Sequence, residues 1–101
     1  MTGDLPSYLV GRETDWALIP EHMISALRRY IENGIEPGSF LEAVLCNDLK
    51  EAVGRADDTN KYRLNDYIIF LYNFAPSKCW GSPEKYQAWI DRRGLNWDGV
   101  A

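Results

Sequence analysis

Between residues 20 and 93 the apolar positions recur at spacings of three and four, the repeat of α-helices that bury one face. In the first such segment, Pro20 to Asn33, the residues Met23, Ile24, Leu27, Tyr30 and Ile31 share a face, while His22, Ser25, Arg28, Arg29 and Glu32 take the other. Pro20 suits the first helical position and Glu21 the positive end of the helix dipole. Leu18 and Met23 stand where a hydrophobic staple would place them. Gly34 is positioned to end the helix in a left-handed turn, and Ile35 to fold back onto Tyr30.

Pro37-Gly38-Ser39 reads as a turn, and Ser39 with Glu42 as a capping box that opens a second helix at Phe40. Leu41, Val44, Leu45, Leu49 and Ala52, with Ala56 as an extension, form one continuous apolar stripe, and Gly54 weakens its last turn. Asp57-Asp58-Thr59 offers N-caps for a third helix, whose broad face would carry Leu64, Tyr67, Ile68, Leu71, Tyr72, Phe74 and Ala75 before Pro76 closes it. The run at 67–72 is rich enough in β-branched and aromatic residues to be a strand, but the spacing favours a helix. Ser82-Pro83-Glu84 signals a fourth helix with Tyr86, Trp89 and Ile90 on its buried stripe. Gly94 ends it, with Leu95 placed to return onto Ile90 and Arg92-Arg93 at its negative end. Residues 1–19 and 95–101 lack periodicity, yet Leu5, Tyr8, Leu9, Val10, Trp16 and Trp97 make them apolar enough to pack across the helices. The expected fold is therefore all-α, a compact bundle of about four short helices with ordered, aromatic-rich ends.

With 101 residues, 46% of them hydrophobic and 26% charged, the chain has the size and balance of a single domain that needs no metal or disulfide to hold its core. A net charge of -4 rules out phosphate neutralisation as the main source of affinity, which argues against nucleic-acid and membrane-surface binding. The longest apolar run, Tyr67 to Phe74, contains Asn73 and falls short of a membrane span. Met1-Thr2-Gly3-Asp4-Leu5-Pro6 has neither a signal-peptide core nor a myristoylation pattern, so a cytoplasmic location is expected. Two isolated cysteines, Cys46 and Cys79, and a single histidine, His22, leave no zinc or redox motif, and both thiols are expected to be reduced.

Asp48 breaks the pattern, because it falls near the middle of the second apolar stripe. A buried carboxylate must be paired or hydrogen-bonded, so Asp48 is expected to be a buried polar anchor that either caps a neighbouring segment or lines a pocket. Cys46, His22 and Asp48 can be written as a catalytic set, but their spacing implies no activating geometry, and no phosphate-cradling glycine loop is present. The expectation is a protein that is not an enzyme and uses no cofactor or metal. Aromatic residues are abundant: four Trp, six Tyr and three Phe. Tyr30, Tyr67, Tyr72 and Trp89 lie at core spacing. Ile69 and Phe70 fall off the main face of the third helix, and Trp80 sits in a loop where it either plugs a gap or projects outward. Trp80, Phe70, Ile69, Trp16 and Trp97 are accordingly the expected partner-binding residues. Arg28-Arg29, Lys78, Lys85 and Arg92-Arg93 read as solvated helix faces.

Taken together, Ile19-Pro20-Glu21-His22, the stretch from Ala26 to Ile35, Pro37 to Leu45, Asn47-Asp48-Leu49 and Ala52 to Asp57 resemble a family of small bacteriophage and prophage proteins without an assigned activity. The similarity continues through Leu71-Tyr72-Asn73, Ala75-Pro76 and Cys79 to Lys85, and covers about residues 19 to 93. It implies an accessory protein, acting in the cytoplasm of an infected bacterium, that binds and inhibits a host protein such as a CRISPR or other antiviral defence component. It carries over no functional residue. The alternative is a binder of a small ligand such as a nucleotide signal, with Asp48, Asn47, Tyr72 and Trp80 around a pocket. A homo-oligomer is a further possibility.

Overall fold

The computed structural model describes residues 16–96. Five α-helices lie within them: α1 (Glu21–Asn33), α2 (Ser39–Leu45), α3 (Leu49–Arg55), α4 (Asp58–Phe74) and α5 (Pro83–Asp91). Short 3-10 turns at Ser77–Cys79 and Gly94–Asn96 complete the order, and no strand occurs among the described residues. The 67–72 run is thus helical. The expected packing of residues 1–15 and of the tail beyond Asn96, with Trp97, lies outside the described residues.

The expected second helix is in fact two. After Leu45 the chain reaches Asn47 with φ 63°, a left-handed conformation that Asn tolerates better than most residues. The N–H of Asn47 donates to the Val44 carbonyl (3.0 Å) and that of Asp48 to the Ala43 carbonyl (2.8 Å), the paired bonds of a Schellman termination. Asp48 then starts α3, its carboxylate accepting the Glu51 N–H at 3.2 Å. Asp48 is therefore an exposed N-cap and not a buried anchor, because the break swings it out of the apolar stripe. The same break rotates Leu49 into solvent.

Termini elsewhere follow local chemistry. Pro20 is the N-cap of α1, one residue before its expected place, and Gly38 rather than Ser39 caps α2 without a side-chain bond. Asp57 caps α4 through the Asn60 N–H (2.7 Å), and Ser82 caps α5 through the Lys85 N–H (3.1 Å). Gly34, at φ 69°, ends α1 by donating to the Tyr30 carbonyl at 2.8 Å. That single bond is an αL termination rather than a Schellman motif; the Ile35 N–H reaches only the Arg29 carbonyl at 3.5 Å, and Ile35 stays exposed instead of folding onto Tyr30.

The buried residues form one cluster drawn from all five helices together with Trp16, Ile19 and Cys79. Tyr30 organises its centre: the hydroxyl donates to the Cys79 carbonyl (2.7 Å) and the ring stacks on Tyr86 with centroids 5.4 Å apart. Trp89 crosses from α5, its indole N–H donating to the carbonyls of Tyr30 (3.0 Å) and Ile31 (3.2 Å) at the end of α1. Both aromatic residues thus bury a large ring while their polar atoms are satisfied. The loop after the first 3-10 turn is tied to α2 through the Gly81 N–H and the Leu45 carbonyl (2.8 Å).

α4 is phased differently from its apolar spacing. Asn60, Tyr67, Phe70 and Leu71 are buried, whereas Ile68 and Tyr72, expected in the core, face outward. Phe70, expected at the surface, is 1% exposed and meets Trp16 with ring centroids 4.6 Å apart. A polar residue sits within this inner face because the Tyr67 hydroxyl donates to the Asn60 side-chain oxygen at 2.6 Å. The pair satisfies itself inside the core, and that burial pushes the Tyr67 hydroxyl well above its ordinary pKa.

Candidate functional site

The single histidine is engaged by a different carboxylate from the one expected. His22 Nε2 lies 3.1 Å from a carboxylate oxygen of Asp57, not of Asp48, and both partners are about half exposed. This contact joins the first turn of α1 to the cap of α4. The Asp57 carboxyl is held below its ordinary value by the Asn60 N–H first and by His22 second. Cys46 is pushed up by partial burial and by the nearby carboxylates of Glu42, Asp48 and Glu84. Burial raises Cys79 to about 12. A reactive cysteine needs its thiolate stabilised, and both environments do the reverse. No group of three or more metal-ligating side chains occurs among the described residues.

The expected partner-binding residues separate under the same geometry. Trp16 and Phe70 are core residues, corrected by burial against one another; the Arg28 guanidinium covers the Trp16 ring at 4.7 Å. Trp80 is half-buried against the core, beside the loop bond to α2. Ile69 alone of the described members of that set belongs to the exposed large hydrophobic residues.

The pocket expected around Asp48 is not assembled with its proposed partners. Asn47 and Asp48 border a depression of about 30 Å³ with Leu49, Ala52, Leu64 and Ile68, and neither Tyr72 nor Trp80 lines it. Its size suits one water or the tip of an apolar side chain, not a nucleotide. A wider groove of about 560 Å³ opens beside Trp16, Ile24, Arg28 and Arg63. Arg63 is engaged there by Asp66 (2.6 Å) and by the Leu18 carbonyl (2.8 Å).

What remains is a surface. Of the seven exposed large hydrophobic residues among those described, six lie on α3 and α4: Leu49 (67% exposed) and Val53 (49%), then Tyr62 (83%), Ile68, Ile69 and Tyr72 (79%). Leu49 and Val53 are one turn apart on α3. Tyr62, Ile69 and Tyr72 follow one line along α4, with Asn65 between them. The depression bordered by Asn47 and Asp48 lies where the two helices approach, between Leu49 and Ile68. Sequence spacing hides this surface in two ways: the Asp48–Glu51 capping signal that re-phases Leu49 sits inside a continuous apolar stripe, and α4 has apolar residues on opposite sides.

No helix among the described residues is long and apolar enough to cross a membrane. No protein-family model, no curated protein and no solved structure matches the chain.

Proposed function

We propose that the protein acts by binding another protein through the outward surface of α3 and α4. The observation that carries this reading is the concentration of exposed apolar and tyrosine side chains there, six of seven among the described residues. Isolated exposed apolar residues are ordinary, but six on two successive helices that approach each other at Leu49 and Ile68, two of them tyrosines, have the composition of an interface centre. The raised thiol pKa values weigh against either cysteine as a nucleophile and so favour binding.

In its more specific form, the proposal is a non-enzymatic phage accessory protein that occupies and thereby inhibits a host protein, with CRISPR or other antiviral defence components as the target class. The resemblance to small phage and prophage proteins supports this form. A net charge of -4 would steer the chain toward basic surfaces, as nucleic-acid-handling complexes present, without the charge density of a DNA mimic.

The test is affinity capture from host lysate, followed by measured binding of the purified host protein, using wild type and a Leu49→Asp/Val53→Asp double variant. Wild type should bind the identified host protein, and the variant, with helicity unchanged by circular dichroism, should bind at least about tenfold more weakly. Equal binding by both would remove the α3 surface from the interface, and absence of any retained host protein would overturn the reading.

A further inference from the structure

The outward face of α4 has an order that a generic sticky surface lacks. Tyr62, Asn65, Ile69 and Tyr72 are spaced by three, four and three residues, the a/d repeat of a helix that pairs along its length. Tyr62, Ile69 and Tyr72 are exposed, as are the flanking residues Lys61, Ile68 and Asn73. The opposite side of the helix, Asn60, Tyr67, Phe70 and Leu71, is already spent on the core. The helix therefore carries two apolar faces, one of them without a partner among the described residues.

We propose that this face is covered by a second copy of the chain, in a parallel two-fold pairing of α4 with α4. The proposal rests on the reading that the α3–α4 surface binds protein, and names the occupant of its α4 side. Two features select this occupant and orientation. In a parallel pair Asn65 faces Asn65 of the second copy and their amides bond each other, whereas an antiparallel pair centred on the same stripe would set Asn65 against Ile69. Parallel pairing also brings each flanking residue opposite the one five positions later in the other copy. Lys61 then meets Asp66 of the second copy, a carboxylate that Arg63 of its own chain already holds at 2.6 Å and would share with the incoming ammonium, and Ile68 meets Asn73, so no like charges face each other along the flanks. Lys61 is held only loosely in the single chain, 3.9 Å from the exposed Asp58, and can turn to the new partner. Asp58, seven residues before Asn65, is the next position of the stripe and would face Asp58 of the second copy, a like-charge contact at the N-terminal end of the seam where both carboxylates are fully exposed to water. Leu49 and Val53 stay outside the seam and are left for a different protein.

Sedimentation equilibrium of the full chain from about 5 to about 500 μM tests the pairing. The mass should rise from monomer to dimer, and Ile69→Glu, folded by circular dichroism, should weaken dimerisation at least about tenfold. Asn65→Cys should form a disulfide-linked dimer under glutathione exchange that the wild-type chain, with its own two thiols, does not form. Monomeric mass throughout the range overturns the proposal. So does a dimer indifferent to Ile69→Glu, and a dimer in which Asn65→Cys fails to link overturns the parallel orientation. The Leu49→Asp/Val53→Asp capture experiment reads the other claim: a monomeric wild type that still binds its host protein removes only the self-pairing, and a dimer that binds none removes only the host reading.

Discussion

Asn47 and Asp48 decide more of the chain path than any apolar residue near them. One turns α2 off in a left-handed conformation, and the next turns α3 on with a capping carboxylate. Asp48→Ala should therefore lower stability by about 1 kcal/mol in urea unfolding, the usual magnitude for a lost N-cap, while Asn47→Val should cost about 1–2 kcal/mol because a β-branched side chain resists positive φ. Both features are present in the sequence as an Asn-Asp pair followed by Glu51, but the continuous apolar stripe through Leu45, Leu49 and Ala52 outweighs them and points to a buried Asp48. Asp57 repeats the capping role with a titratable consequence. Its folded carboxyl lies below the ordinary value of 3.8, so its contribution is fully present above that pH and is lost as the pH falls through the lower folded value. Asp57→Asn, which keeps a capping oxygen, should flatten the acid limb of a stability–pH curve below about pH 4, with no change near neutrality beyond the His22 contact.

At the scale of the element, α4 shows where periodicity reaches its limit. Its existence and its end at Pro76 were legible, and so were most of α1 and α5, because each has a cap, one apolar face and a stop signal. The phase of α4 was not, since apolar residues on opposite sides satisfy the same spacing twice. Packing chose the face that places Phe70 on Trp16 and lets Tyr67 satisfy Asn60. That choice predicts a specific coupling. Tyr67→Phe leaves the buried Asn60 oxygen without its donor and should destabilise the protein by about 1–3 kcal/mol. Asn60→Leu alone strands the Tyr67 hydroxyl and should do the same. The double variant, with neither polar atom buried, should be less destabilised than the sum of the two by about 1 kcal/mol or more in a denaturation cycle. Tyr72→Ala, one turn along on the outward face, should leave unfolding nearly unchanged and act only on association.

For the whole molecule, the closure of the chain depends on two glycines that were each readable as helix ends but not as neighbours. Gly34 follows α1 at φ 69° and Gly94 follows α5 at φ 68°, and the two backbones meet. A Cβ on Gly94 would lie 2.7 Å from the Gly34 nitrogen and 2.8 Å from the Asn33 nitrogen. One on Gly34 would lie 2.9 Å from both the Arg93 Cα and the Trp89 carbonyl oxygen. The obstacles are backbone atoms, which cannot move aside as a flexible side chain would. The contact also seats Trp89 where its N–H reaches the last carbonyls of α1, so the seam and the aromatic centre of the core stand or fall together. No local pattern encodes such an approach, because it arises only when helices far apart in sequence are docked. Gly34→Ala and Gly94→Ala should each destabilise by more than about 2 kcal/mol, through the combined strain of positive φ and backbone overlap. The double variant should fall short of the sum, because the first substitution already forces apart the surfaces that the second would strain. Gly54→Ala supplies the internal comparison: it lies in α3 with open space around its added Cβ, and should stabilise by about 0.5–1 kcal/mol in the same urea titration.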